Sequence, residues 1–214
     1  KLNTFLNSAF IYKLDIIKKS SPDDLAIIEC SSDIEYKLLE IFFKTPLLGN
    51  TPDFKPTREL DMSLDSNLFH STNMGPPLFE GKMMEQFTDN FRERIEQRYW
   101  VDKNEVENRL KRKELTRIPS KFKSLNPDFR PQLHAHYYRL AYRQNSNPTN
   151  RQTLLTTVLP PNVFLGHSLH YIRPIHFNGE KYVCSISYNE ILYLCGMFNS
   201  FTVDYIVRKK VDKN

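Results

Sequence analysis

The chain reads as an α/β (α+β) protein, with a mixed or antiparallel sheet, flanking helices and a long C-terminal helix. Three observations predict this. Residues 133–143 alternate like a strand, with Tyr137, Arg139, Ala141 and Arg143 on one face and His136, Tyr138, Leu140 and Tyr142 on the other. Two capping boxes, Ser32 with Glu35 and Ser187 with Glu190, each open a run of apolar residues at three- and four-residue spacing. Elsewhere, short β-branched or aromatic segments are separated by Pro, Gly and Asn turns.

The elements follow in order. Residues 9–18 and 25–30 read as short strands around the turn Ser20-Ser21-Pro22-Asp23-Asp24. A helix over 33–44 places Ile34, Leu38, Ile41 and Phe42 at helical spacing, and Pro46 with Gly49-Asn50-Thr51-Pro52 ends it. Arg58–Met62 and Asn67–His70 read as strand pieces, and 71–77 as a loop. The apolar stretch Pro77–Phe87 follows at the centre of the chain. Gly81 within it marks a bulge or the close approach of another backbone or a ligand. There Lys82 and Gln86 can offer a cation and an amide to a phosphate or a base edge, the plainer alternative being a core-edge strand with one solvated lysine.

The strongly charged segment 91–123 reads as a mobile insertion, with a helix over 105–114 that puts Val106 and Leu110 on one side. Pro119, Pro127 and Pro131 divide what comes next into turns. Residues 133–159 form an antiparallel hairpin, its second strand 152–159 and its polar tip carrying Asn147-Pro148-Thr149-Asn150. Further strands lie in 163–172 and 181–186. Ile191, Leu194, Cys195, Phe198, Thr202 and Tyr205 then recur along one long helix that bends at Asn199-Ser200, and Arg208-Lys209-Lys210 suit its C-terminal dipole.

At 214 residues, 40% apolar and 26% charged, the chain can bury a full core and is not of disordered composition. It carries neither a signal peptide nor a run of about 18 apolar residues. Cys30, Cys184 and Cys195 are odd in number and widely spaced, which argues against a zinc knuckle or disulfide framework and for a cytoplasmic location. Both ends read as cut from a longer protein. The net charge of +5 is unevenly spread: residues 1–91 balance at −5 and residues 92–214 at +10. That asymmetry predicts a polyanion-binding face on the later chain, a solvated surface without a partner being the alternative.

Catalytic constellations are weak. His134-x-His136 could place two imidazoles on one side of a strand, but no third ligand has metal-site spacing. Asp23 with Glu29-Cys30-Ser31 faintly resembles a Mg-dependent nuclease site, with serine where the lysine should stand. Gly75-Pro76-Pro77-Leu78-Phe79 imitates the Asn/Asp-Pro-Pro-Tyr/Phe loop of amino-methyltransferases, but Gly75 has no carbonyl side chain to hold a target amine. Binding chemistry is better represented. Arg139, Arg143 and Arg151 share one hairpin with Tyr137, Asn145 and Asn150, residue types that read base edges and grip phosphates.

Several stretches together resemble a known family. They are Arg58-Glu59-Leu60-Asp61-Met62, Asp65-Ser66 with Leu68-Phe69, Leu78-Phe79-Glu80-Gly81-Lys82-Met83 with Gln86-Phe87, Thr149-Asn150-Arg151-Gln152-Thr153-Leu154, Val158-Leu159-Pro160, and Phe198-Asn199-Ser200 with Asp204-Tyr205. Their order is similar to the region C-terminal to the catalytic domain in adenine-specific DNA methyltransferases of the type IIG restriction–modification and phage-defence kind. The resemblance spans about 57–211 and implies a target-recognition domain over 57–214, with 1–56 a linker or an edge of it. It further implies a non-catalytic domain that holds double-stranded DNA beside a catalytic methyltransferase domain, where S-adenosylmethionine would bind. Lys82, Asn150 and Arg151 then become phosphate or structural positions, and Gln86, Tyr137, Arg139 and Arg143 candidate base readers.

Overall fold

The computed structural model describes residues 11–46, 48–51, 54–88, 96–147 and 149–211. Readings that fall on residues 9–10, Pro52, 91–95 and Pro148 lie outside these. The architecture is α+β, with six α-helices among the described residues. Its centre is a four-stranded antiparallel sheet in the order β1 (Pro56–Arg58), β8 (Leu169–Ile172), β5 (Arg139–Arg143) and β6 (Thr156–Leu159). The hairpin is present, with Arg139 opposite Leu159 and Tyr142 opposite Thr156.

Smaller pairs surround the sheet. β2 (Phe69–His70) meets β4 (Trp100–Val101) and β9 (Ile175–Phe177) meets β10 (Tyr182–Cys184), both antiparallel. β3 (Leu78–Phe79) lies parallel to β7 (Phe164–Leu165). Strand material is shorter than the sequence suggests at several places. In particular, 133–138 enters β5 through a 3-10 turn at His134–His136.

Both faces of the sheet are covered. On one, α5 (Tyr188–Phe198) lays Ile191 and Cys195 on Leu140 and Ile172. Its start follows from sequence: the Ser187 hydroxyl accepts from the Glu190 N–H, and the Glu190 carboxylate accepts from the Ser187 N–H at 2.7 Å. On the other face, Phe79, Met83 and Met84 from the central stretch meet Ala141, Leu159, Leu169 and Tyr171. Full burial of side chains this size stabilises by roughly 1.5–3 kcal/mol each. Leu78 points into a third cluster with Val106 and Leu110 of α3 (Lys103–Arg117), so the central stretch ties two cores together. A short α4 (Ser120–Leu125) follows α3.

Gly81 does what its place in the pattern predicts. A Cβ there would lie 3.3 Å from the Ser168 carbonyl, and the Gly81 N–H donates to the Ser168 hydroxyl at 2.9 Å. Gly75, at φ +152°, is required by its backbone: a Cβ would lie 2.5 Å from the Val101 carbonyl oxygen.

The N-terminal part differs from expectation. Residues 14–20 form a helix, α1 (Leu14–Ser20), where the sequence reads as strand, and 25–30 join no sheet. α2 (Asp33–Phe42) matches its capping signal, Ser32 accepting from the Glu35 N–H. Ile16, Ile28, Leu39 and Phe43 from this part close over Ile206 of α6 (Phe201–Lys210). The expected long C-terminal helix is two helices, because Asn199 ends α5 and Ser200 caps α6 by accepting from the Val203 N–H. The boundary read at 56–57 falls inside β1. No helix among the described residues is long and apolar enough to cross a membrane.

Candidate nucleic-acid interface

The sequence-predicted site residues separate into three groups. Gln86, Arg143, Asn150 and Arg151 line one open recess of about 430 Å³, together with Glu85, Gln152 and Leu155. Lys82 lies in the 3-10 turn Gly81–Met83 and is held there, 3.6 Å from Glu80 and donating to the Glu96 carbonyl at 3.4 Å. Tyr137 and Arg139 sit at the other end of β5 from Arg143. The Tyr137 hydroxyl donates to Gln132 at 2.6 Å.

Arg139 is not a surface group, contrary to its reading as a base reader. It is 0% exposed. Its guanidinium donates to Glu59 at 2.9 Å and to the Val163 carbonyl, and it stands over the Tyr171 ring at 5.0 Å. The alternation in 133–143 correctly assigns its face of β5, but that face is a second core. Arg143 is half-buried for a related reason: its Nε and one terminal nitrogen donate to the Gly81 and Met84 carbonyls, both at 2.6 Å, and clamp the central turn to the sheet.

The charge asymmetry is likewise spent in good part inside the molecule. Glu35 holds Lys209, Glu59 holds Arg139, Asp65 holds Arg109 and Lys113, and Glu80 holds Arg98. Five cations of the later chain are therefore paired with four acids of the earlier chain. The +10 balance does not describe a free basic face of that charge.

Around the recess, motif residues far apart in sequence form one hydrogen-bonded knot. The Asn199 carbonyl accepts from the side-chain amides of Gln86, at 2.9 Å, and Gln152, at 3.0 Å. The Asn199 side chain accepts from the Thr156 N–H and donates to the Thr156 and Cys195 carbonyls. Asp204 accepts from the Thr153 and Leu154 N–H groups at 2.7 and 2.8 Å. Burial pushes its carboxyl up, but the Leu154 amide, Arg208 and the Thr153 amide outweigh that and hold it below its ordinary value. Arg208 then donates to the Asn150 and Arg151 carbonyls, fixing the loop that carries both residues. No protein-family model and no curated protein matches this chain.

The side chains of Asn150 and Arg151 are exposed at the rim, and make no hydrogen bond or ion pair among the described residues. The sequence signal that could have separated them from their neighbours is the Asn147 turn: the Asn147 side chain accepts from the Thr149 N–H and hydroxyl and turns the following residues outward.

Among the described residues no group of three or more His, Cys, Asp or Glu is placed to hold a metal ion. His134 is buried with Nδ1 2.8 Å from the Tyr171 hydroxyl, whereas His136 is exposed beside Glu107. Burial, with Arg117, Arg173 and Arg139 nearby, lowers His134 to about 3. The unfolded chain therefore binds a proton below its ordinary value of about 6.5 that the folded chain refuses, so His134 supports folding above that pH and opposes it below. Urea unfolding is expected to show stability falling between about pH 7 and about pH 5, with a shallower fall in His134→Gln. An unchanged slope would place His134 in water.

Proposed function

We propose that this chain is the DNA target-recognition (specificity) domain of an S-adenosylmethionine-dependent adenine-N6 DNA methyltransferase, without a catalytic site of its own. One observation carries the reading. The Gly81–Gln86, Asn150–Leu154 and Asn199–Asp204 segments, which bear much of the family resemblance, meet in a single knot beside an open recess. Residues shared by domains that read different targets are expected to build a scaffold, and here Gln86, Arg143, Gln152, Asn199 and Asp204 all bond to other parts of the domain. The groups left for DNA are those at the rim, Asn150 and Arg151. Cofactor chemistry belongs to a catalytic methyltransferase domain, and the widely spaced, odd-numbered cysteines support a cytoplasmic location.

A second reading, a protein-interaction module, draws on the exposed apolar side of α5. Tyr188, Leu192, Tyr193 and Met197 stand in solvent there, with Phe201 at the start of α6 92% exposed. The methyltransferase reading also has a use for this surface, as the contact with its catalytic domain.

Fluorescence anisotropy of the 214-residue chain with labelled duplex DNA tests the reading. Binding is expected at low salt and is expected to weaken steeply as salt rises. Arg151→Glu should weaken it, and Lys18→Glu, on the exposed side of α1, should not. Reversal at Arg139 or Arg143 is no test of binding, because both are fastened inside the domain and their reversal would report on folding. Absence of binding to any duplex at low salt would favour the interaction module.

A further inference from the structure

We infer that the recess holds one backbone phosphate of the duplex, gripped by Arg151 and Asn150 over the half-buried Arg143, and that it reads no base. The inference rests on the methyltransferase reading and gives its site a chemistry. A base reader has to project into a groove and present free, paired donors and acceptors. These residues instead surround a concavity, and the groups best suited to reading already spend part of their donors on the fold. Gln86 and Gln152 both spend an amide N–H on the Asn199 carbonyl, and Arg143 spends Nε and one terminal nitrogen on the Gly81 and Met84 carbonyls.

The cationic donors that remain are the whole Arg151 guanidinium and the second terminal nitrogen of Arg143, which makes no hydrogen bond among the described residues, and the Asn150 amide adds an N–H beside them. Donors around a hollow suit a convex, acceptor-rich anion, and a phosphodiester of the DNA backbone is both. Glu85 also lines the recess and accepts from the Gln86 N–H at 3.2 Å. Its charge offsets that of Arg143, which leaves Arg151 as the net positive charge. The site is therefore sized in charge for a single phosphate. Because Arg208 holds the Asn150 and Arg151 carbonyls rather than their side chains, changing either side chain leaves the loop anchored.

The test uses the 214-residue chain, Arg151→Gln and Asn150→Ala, each checked for an unchanged unfolding midpoint. Affinity for duplex DNA is measured against salt, and each protein also selects from a pool of randomised duplexes. For Arg151→Gln, the slope of log affinity against log salt is expected to become shallower by about 0.9, the value of one phosphate contact. Both variants should weaken all duplexes by a common factor and enrich the same sequences as the parent chain. An unchanged slope, or a change in the enriched sequences, overturns the phosphate assignment while DNA recognition stands. Failure of the parent chain to bind any duplex would overturn both.

Discussion

Replacing Arg139 with methionine is expected to cost about 3–5 kcal/mol of folding stability, the range for removing one partner of a buried ion pair. Arg139 and Glu59 are 0% and 2% exposed, joined at 2.9 Å across 80 residues of sequence. Glu59 also accepts from the Leu165 N–H at 2.7 Å, so the pair fastens the segment after β1 to both β5 and β7. Burial pushes the Glu59 carboxyl up, opposed by Arg139 and the Leu165 amide. Without Arg139 the opposition weakens and the carboxyl rises further. A group raised in the folded state supports folding below its unfolded value and loses that support as pH rises through the folded one. Arg139→Met should therefore lose stability more steeply than the parent chain as pH rises from about 5 to about 8. Combining it with Glu59→Leu should restore part of the loss, but not all, because the Leu165 N–H and the Val163 carbonyl stay without partners. Urea midpoints of the singles and the double measure this. A loss below about 1 kcal/mol would mean that Arg139 is a surface group, free for the base-reading role its sequence position suggests.

This residue marks where sequence reasoning stops. Alternation along 133–143 assigns the faces of β5 without error, because a two-residue period is a property of the local chain. It does not say what covers each face. Tyr137, Arg139, Ala141 and Arg143 look like a wet face, yet Phe79, Met84 and Leu165 lie over Ala141, and Glu59 waits for Arg139. Pairings across 62 and 113 residues, such as Arg143 with Gly81 and Gln86 with Asn199, leave no periodic trace.

Elements with local causes were legible. Both capping boxes open helices, and Gly81 meets Ser168 as a glycine in that place should. Asn199-Ser200 divides the last helix because a serine N-cap can start a second one. The N-terminal strand failed for the opposite reason. Ile11, Leu14, Ile16 and Ile17 satisfy either period over so short a run, and packing of Ile16 against Ile206, far along the chain, accompanies the helical choice. The charge asymmetry overstates the free charge for a similar reason: a sum over sequence counts Arg98, Arg109 and Lys113 as free, and the fold gives each an acid.

Asn199→Ala is expected to destabilise by about 2–3 kcal/mol, since it strips partners from buried backbone groups. The Asn199 side chain is the acceptor for the Thr156 N–H at 3.2 Å and a donor to the Thr156 and Cys195 carbonyls at 2.9 Å each. Thr156 is 0% exposed, so water cannot replace these bonds. Asn199→Asp keeps the acceptor but turns a carboxylate toward two carbonyls, which is tolerable only when it is protonated. That variant should be as unstable as Asn199→Ala at neutral pH and should recover as pH falls. The Gln86 and Gln152 amides bond the Asn199 carbonyl rather than its side chain, and survive either change. If the knot is scaffold, Asn199→Ala should lower DNA binding only in proportion to the fraction unfolded, with the salt slope intact, whereas Arg151→Gln should lower the slope at full stability. A pair of variants that exchanged these signatures would make the knot the reader and the rim the scaffold.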